Sequence, residues 1–169
     1  NETRRSDNGN SAGYGAGFLA SSGSTTNLTD VEISGNIKTD QGGGFYQDGV
    51  STKVEGTRVQ IQDNEARVRG GGFRNATFNE AGGYTMLTDS VIQRNEVENE
   101  HGGGFYNNGT VMLIDTDVLE NKTFDLDASF TNIGGSFGSI NPARDGYGAG
   151  FYNSGGKVVL TNGLIEANE

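Results

Sequence analysis

Gly42-Gly43-Gly44-Phe45 is one of five copies of a single short phrase. Gly15-Ala16-Gly17-Phe18 precedes it, and Gly70-Gly71-Gly72-Phe73, Gly102-Gly103-Gly104-Phe105 and Gly148-Ala149-Gly150-Phe151 follow. The phenylalanines are 27, 28, 32 and 46 residues apart. A second phrase travels with the first: Ile33-x-x-Asn36, Ile61-x-x-Asn64, Ile92-x-x-Asn95, Val118-x-x-Asn121 and Ile165-x-x-Asn168. Each asparagine falls 16 to 22 residues after its phenylalanine. Self-similarity at this period belongs to stacked architectures, in which each repeat covers the apolar face of the next.

Between the two phrases lie short, partly alternating segments such as Thr26-Asn27-Leu28 and Val31-Glu32-Ile33, compatible with strands and too short for helices. No stretch shows ten residues of helical periodicity. Three short strands per repeat, joined by turns, describe an all-β parallel β-helix of about five coils. At ~4.8 Å per coil it stands about 25 Å tall. Phe18, Phe45, Phe73, Phe105 and Phe151 then form an internal aromatic column. Leu28, Leu87, Leu113 and Leu160 form a second, with Gly56 as its gap, and the residues that open the I-x-x-N phrase form a third. Asn36, Asn64, Asn95, Asn121 and Asn168 fall where the chain turns, as a ladder of stacked amides in left-handed backbone. The glycines supply another corner. At a further corner Arg58 falls between Asp30 and Asp89 of the adjacent coils.

The chain reads as one β-helix domain, 1–169, with 1–14 as an arm or partial coil and 122–147 as an insertion loop. Leu, Ile, Val and Phe number 36 of 169 residues, just above the ~20% at which charged chains are usually disordered. A repeat resolves that tension. The net charge of −10 argues against nucleic acid and anionic membrane surfaces as partners, and no apolar run suits membrane insertion. With no initiator Met or signal peptide, the chain reads as a mature product or a segment of a longer repeat protein. The absence of cysteine excludes a disulfide scaffold and leaves secretion open. Sequons occur at Asn1, Asn27, Asn75, Asn108 and Asn121, against about three expected by chance. Asn75 and Asn108, in the turn after the aromatic column, are the expected acceptors, and Asn121 is expected bare because it belongs to the ladder.

The paired phrases resemble the GGA[ILV] and FxxN repeats of the polymorphic membrane proteins and related surface adhesins. The resemblance covers about 150 residues. Here the phenylalanine stands in the glycine phrase, and an aliphatic residue stands before x-x-N. The resemblance implies a right-handed parallel β-helix, displayed at a cell surface and used in adhesion.

Chemistry is sparse. Asp115 and Asp117 are the tightest carboxylate pair, but they flank a turn, where hydrolysis needs a cleft. His101 lies in an acidic turn beside Glu96, Glu98 and Glu100. Asp125-Leu126-Asp127-Ala128-Ser129 starts like a calcium loop, yet Phe130 stands where glycine should turn and Ser136 where the bidentate glutamate should be. No catalytic, cofactor or metal residue is assigned, and no enzyme is expected. Tyr46, Tyr106 and Tyr152 follow their phenylalanines in a column that alternation points outward. They form a candidate face for sugar rings or protein. Alternatively, the column supports itself, with Arg74 stacked between Tyr46 and Tyr106. Three functional readings follow. The first is a structural module of an extracellular fibre, filament or surface protein, stacked head to tail on itself or on further repeats. The second is an adhesin that binds glycans or cell-surface proteins through the tyrosines. The third is a polysaccharide lyase or hydrolase, which lacks its carboxylate cleft.

Overall fold

The computed structural model describes residues 13–76, 82–124 and 148–169. Most of the expected arm, the Asn1 sequon, most of the insertion and the calcium-like Asp125–Ser129 stretch lie outside the described residues. Within them the chain is a parallel β-solenoid with four sheets. The first sheet comprises β1 (Phe18–Ala20), β5 (Phe45–Gln47), β9 (Phe73–Asn75), β13 (Phe105–Asn107) and β17 (Phe151–Asn153). The second stacks β2 (Thr25–Thr29), β6 (Lys53–Thr57), β10 (Tyr84–Thr88), β14 (Thr110–Ile114) and β18 (Lys157–Thr161). The third stacks β3 (Glu32–Ser34), β7 (Gln60–Gln62), β11 (Val91–Gln93), β15 (Asp117–Leu119) and β19 (Ile165–Glu166). The fourth contains β4 (Thr39–Gln41), β8 (Glu65–Arg69), β12 (Glu96–Val97) and β16 (Lys122–Thr123).

The described chain therefore makes four full turns and three strands of a fifth, with four strands per full turn where the sequence suggests three. The extra strand escapes pattern reading because it is short and polar. It sends only one residue per coil fully inward in three coils, at Thr39, Ala66 and Val97, which is too little alternation to recognise.

Register places like upon like. Phe18 pairs with Phe45, Phe45 with Phe73, Phe73 with Phe105, and Phe105 with Phe151. The rings are 4.7–4.9 Å apart and within 9° of parallel, the spacing that the strands impose. Phe45, Phe73 and Phe105 are completely buried, each contributing about 1.5–3 kcal/mol of burial free energy. The gap at Gly56 is filled: a Cβ there would lie 2.8 Å from Leu87 Cδ2 and from Val59 Cγ2.

The asparagine ladder is continuous. The backbone N–H and the side-chain Nδ2 of Asn36 both donate to Asn64 Oδ1, at 3.2 and 2.8 Å. The same double donation joins Asn64 to Asn95, Asn95 to Asn121, and Asn121 to Asn168. Asn64, Asn95, Asn121 and Asn168 also donate back to a carbonyl of the third sheet, as Asn95 Nδ2 does to Ile61 O at 2.9 Å. These asparagines do not adopt the left-handed backbone expected of them. The preceding residues do: Gly35, Asp63, Arg94, Glu120 and Ala167 have φ of +61°, +54°, +49°, +53° and +54°. Turning the chain one residue earlier aims the carboxamide inward. The corner between the second and third strands works in the same way, through Asp30, Arg58, Asp89, Asp115 and Asn162 at φ between 48° and 55°. There Arg58 Nη2 donates to Asp30 Oδ2 at 2.8 Å, and Asp89 adds only attraction at a distance.

Left-handed backbone costs a non-glycine residue roughly 1–2 kcal/mol. Glu120 is exposed at such a corner. Glu120→Gly is therefore expected to unfold at an unchanged or higher urea midpoint, since relieved strain offsets the added unfolded-state entropy of about 0.5–1 kcal/mol. Glu120→Val is expected to unfold at a lower midpoint. If valine proved the more stable of the two, corner strain would not be the governing term.

Candidate functional site

The tyrosine column was the sequence's best candidate for a contact surface, and the structure changes its character. Tyr46 and Tyr106 are 2% and 5% exposed, and Tyr152 is half-buried. Alternation does point them away from the core, but the outside of the chain folds back on itself at the glycine corner. The first glycines of the phrases, Gly15, Gly42, Gly70, Gly102 and Gly148, lie at φ between +58° and +75°. They bend the chain so that residues before the phrase meet residues after the phenylalanine. Tyr14 lies 4.9 Å from Tyr46, ring centre to centre. Arg69 sits 5.2 Å above Tyr106, and His101 stacks on Tyr152 at 4.5 Å. One strand's alternation cannot reveal that a second outward column covers it.

Within this seam Arg74 is stacked between Tyr46 and Tyr106, its guanidinium 5.2 and 5.4 Å from the two ring centres. Its Nη1 donates to the Tyr46 hydroxyl at 3.3 Å, while its buried Nε has no hydrogen-bond partner among the described residues. Burial pushes the Tyr46 and Tyr152 hydroxyls above the usual phenol range. The seam is therefore a packed cation–π column, not a platform open to sugar.

His101 gives the seam a pH dependence. Burial holds its imidazole below the ordinary value of 6.5, with Arg69 adding to the effect, although Glu100 opposes it. A depressed histidine favours the neutral form in the folded state. Its contribution to stability is present above pH 6.5 and lost as pH falls through the lowered folded value. The chain has only this histidine, so the stability lost between pH 7 and 5.5 should be smaller in His101→Phe than in wild type. Parallel pH curves for the two proteins would contradict this.

The expected glycan acceptors also lie elsewhere than the sequence suggested. Asn75 is completely buried and Asn108 is 9% exposed. Asn75 Nδ2 donates to Asn107 Oδ1 at 3.0 Å, and Asn107 Nδ2 donates to Asn153 Oδ1 at 2.9 Å. This is a second amide ladder; it ends at Asn75, whose buried Oδ1 has no partner among the described residues, while Gln47 one coil away donates to Thr52 O and Tyr84 O instead. Its signal was present in the sequence: Phe73-x-Asn75, Phe105-x-Asn107 and Phe151-x-Asn153 give the asparagine the same inward parity as the phenylalanine. A smaller hydroxyl ladder runs from Thr116 to Ser90 to the Val59 N–H.

Among the described residues a groove of about 190 Å³ lies on the fourth sheet, lined by Lys38, Thr39, Asp40, Glu65, Arg67 and Glu98 beside Gly13. Arg67 donates to Asp40 there at 2.6 Å. Burial and neighbouring Glu98 raise the Glu65 carboxyl above its ordinary range. Asp115 and Asp117 do not frame a cleft, since Asp117 Oδ1 accepts the Leu164 N–H at 2.9 Å. Among the described residues no group of three His, Asp or Glu side chains is placed to hold a metal. No known protein family, curated protein or solved structure matches the chain. The structure shows a parallel β-solenoid, and no family match ties it to the surface-protein repeats.

Proposed function

We propose that the chain is a structural β-solenoid module of an extracellular fibre, filament or surface protein, lengthened by head-to-tail stacking on itself or on further repeats. The observation that supports this reading is the state of the two end coils. Phe45, Phe73 and Phe105 have a ring on both faces, whereas among the described residues Phe18 and Phe151 have one stacked ring each, and both stay partly exposed. Leu28, Leu160 and Ile165 in the same coils are also only partly covered. Among the described strands, β1–β4 at one end and β16–β19 at the other are paired on one side only. Such edges are templates for further pairing. Because the paired strands are all parallel, the two ends offer opposite edges of the sheets, and head-to-tail contacts between such ends would propagate without closing.

Sedimentation of the 169-residue chain over a range of concentrations tests this. Association that rises with concentration, with hydrogen-exchange protection spreading to the end coils, is the expected result. A monomer at every concentration with both end coils already protected would overturn it. The adhesin reading loses the tyrosine platform that motivated it. An enzymatic reading would have to start from the neighbouring Glu65 and Glu98 carboxyls of the fourth-sheet groove.

A further inference from the structure

Four of the five sequons fall on described residues, and the structure accounts for the asparagine in three of them. Asn75 and Asn121 carry the two amide ladders, and Asn108 is buried in the turn beside the first. Asn27 is different. It stands at the centre of β2 with its side chain exposed between exposed Thr25 and Thr29, and among the described residues its carboxamide has no hydrogen-bond partner. Asparagine is disfavoured in strand interiors, and the residue beside it in the next coil is Glu55. Neither packing nor hydrogen bonding explains Asn27.

We infer that Asn27, in Asn27-Leu28-Thr29, is an acceptor for N-linked oligosaccharide. This rests on the extracellular reading above. The transfer occurs on the unfolded chain. The Asn27 amide nitrogen bonds to the anomeric carbon of a polyprenyl-pyrophosphate-linked oligosaccharide and gives up one proton. The anomeric C–O bond breaks and the polyprenyl pyrophosphate leaves. Folding then sorts the products. A sugar on Asn27 projects sideways from the second sheet, clear of the coil-to-coil direction, so stacking can proceed. A sugar on Asn75 or Asn121 would replace a ladder amide with a bulky group inside the coil.

The test is secretion of the 169-residue chain, behind an added leader, from eukaryotic cells, with site occupancy read by mass spectrometry after deglycosylation in heavy-oxygen water. Glu55→Asn serves as a companion, because Thr57 completes a sequon at the adjacent position of the same outer face. The expected result is sugar at Asn27, none at Asn75 or Asn121 in the folded secreted fraction, and loss of one glycan mass in Asn27→Gln. A bare Asn27 in folded secreted protein overturns the assignment, whether or not the Glu55→Asn companion is occupied. The extracellular reading is tested separately, by adding protease to intact source cells. Cleavage with a bare Asn27 keeps the compartment and removes the site, while resistance to protease removes the compartment and with it the use of Asn27 in the source.

Discussion

Gly43→Ala is expected to be among the most damaging single-methyl changes at the described glycines, costing at least about 3 kcal/mol, at the upper end of what overpacking does. A Cβ at Gly43 would lie 2.1 Å from the Gly71 carbonyl oxygen and 2.9 Å from that of Glu65. Both are backbone atoms, fixed by the strands of the next coil, so no side chain can swing aside. Moving the corner would break Gly43 N–H to Gly70 O at 3.0 Å and Gly44 N–H to Gly72 O at 2.8 Å. The first coil shows what such a move entails. Its corner carries Ala16 at this position and, among the described residues, is held through the Gly15 N–H to Gln41 O and the Gly17 and Phe18 N–H groups to Gly44 O, without a counterpart of the Gly43 N–H bond. An end coil has freedom that a coil held on both faces lacks. Gly35→Ala is the comparison: Gly35, unlike Gly43, sits at positive φ, but nothing lies within 4 Å of its Cβ, so backbone strain of roughly 1–2 kcal/mol is its whole cost. Urea unfolding followed by circular dichroism checks the pair, and equal midpoints would refute the close-packing account of the glycine phrase.

Asn95→Ala is expected to cost about 3–5 kcal/mol, because a fully buried unpaired polar group costs about 1–3 kcal/mol and several are created at once. Asn95 Oδ1 accepts from the Asn64 N–H at 3.1 Å and from Asn64 Nδ2 at 2.9 Å. Its own Nδ2 donates to Ile61 O at 2.9 Å and to Asn121 Oδ1 at 3.0 Å. Truncation removes the sole side-chain acceptor of the Asn64 N–H and empties a site that is wholly closed to water. Asn95→Asp separates hydrogen bonding from shape. It retains the acceptor for Asn64 but sets a second carboxylate oxygen against two oxygen acceptors in a buried position. That environment raises the carboxyl's folded pKa above its unfolded value of ~3.9. Its stability is then greatest below the unfolded value and falls as pH rises through the folded one. At neutral pH Asn95→Asp should be less stable than Asn95→Ala, and acidification should narrow the difference. A pH-independent difference would mean that the ladder is held by packing alone.

The glycine–phenylalanine phrase and I-x-x-N were legible as a fold because a solenoid repeats the same environment every coil. Any residue demanded by that environment must recur at the same place. Phe45, Phe73 and Phe105 recur because one ring must fill the space between two others, and Asn64, Asn95 and Asn121 because an amide both receives and gives at each level. The fourth strand was not legible, since β4, β8, β12 and β16 differ in length and bury little. The left-handed corners were not legible either. Gly35, Asp63, Arg94, Glu120 and Ala167 share a backbone conformation without sharing chemistry, because the neighbouring coils over-determine φ.

The tyrosines and sequons mark the same boundary from the functional side. Period-two alternation correctly directs Tyr46 and Tyr106 away from the core, and the N-x-T pattern picks out Asn75 as readily as Asn27. Whether an outward side chain meets water depends on what the next corner brings over it. At Tyr46 and Tyr106 that is Tyr14 and Arg69, brought there by glycines at positive φ. Nothing among the described residues covers Asn27. Sequence alone determined which residues repeat, and with them the stacking of like upon like at strand spacing, because that information is local and recurs. The tertiary structure alone decided which outer faces remain surface, because exposure depends on the angle at which separate strands meet.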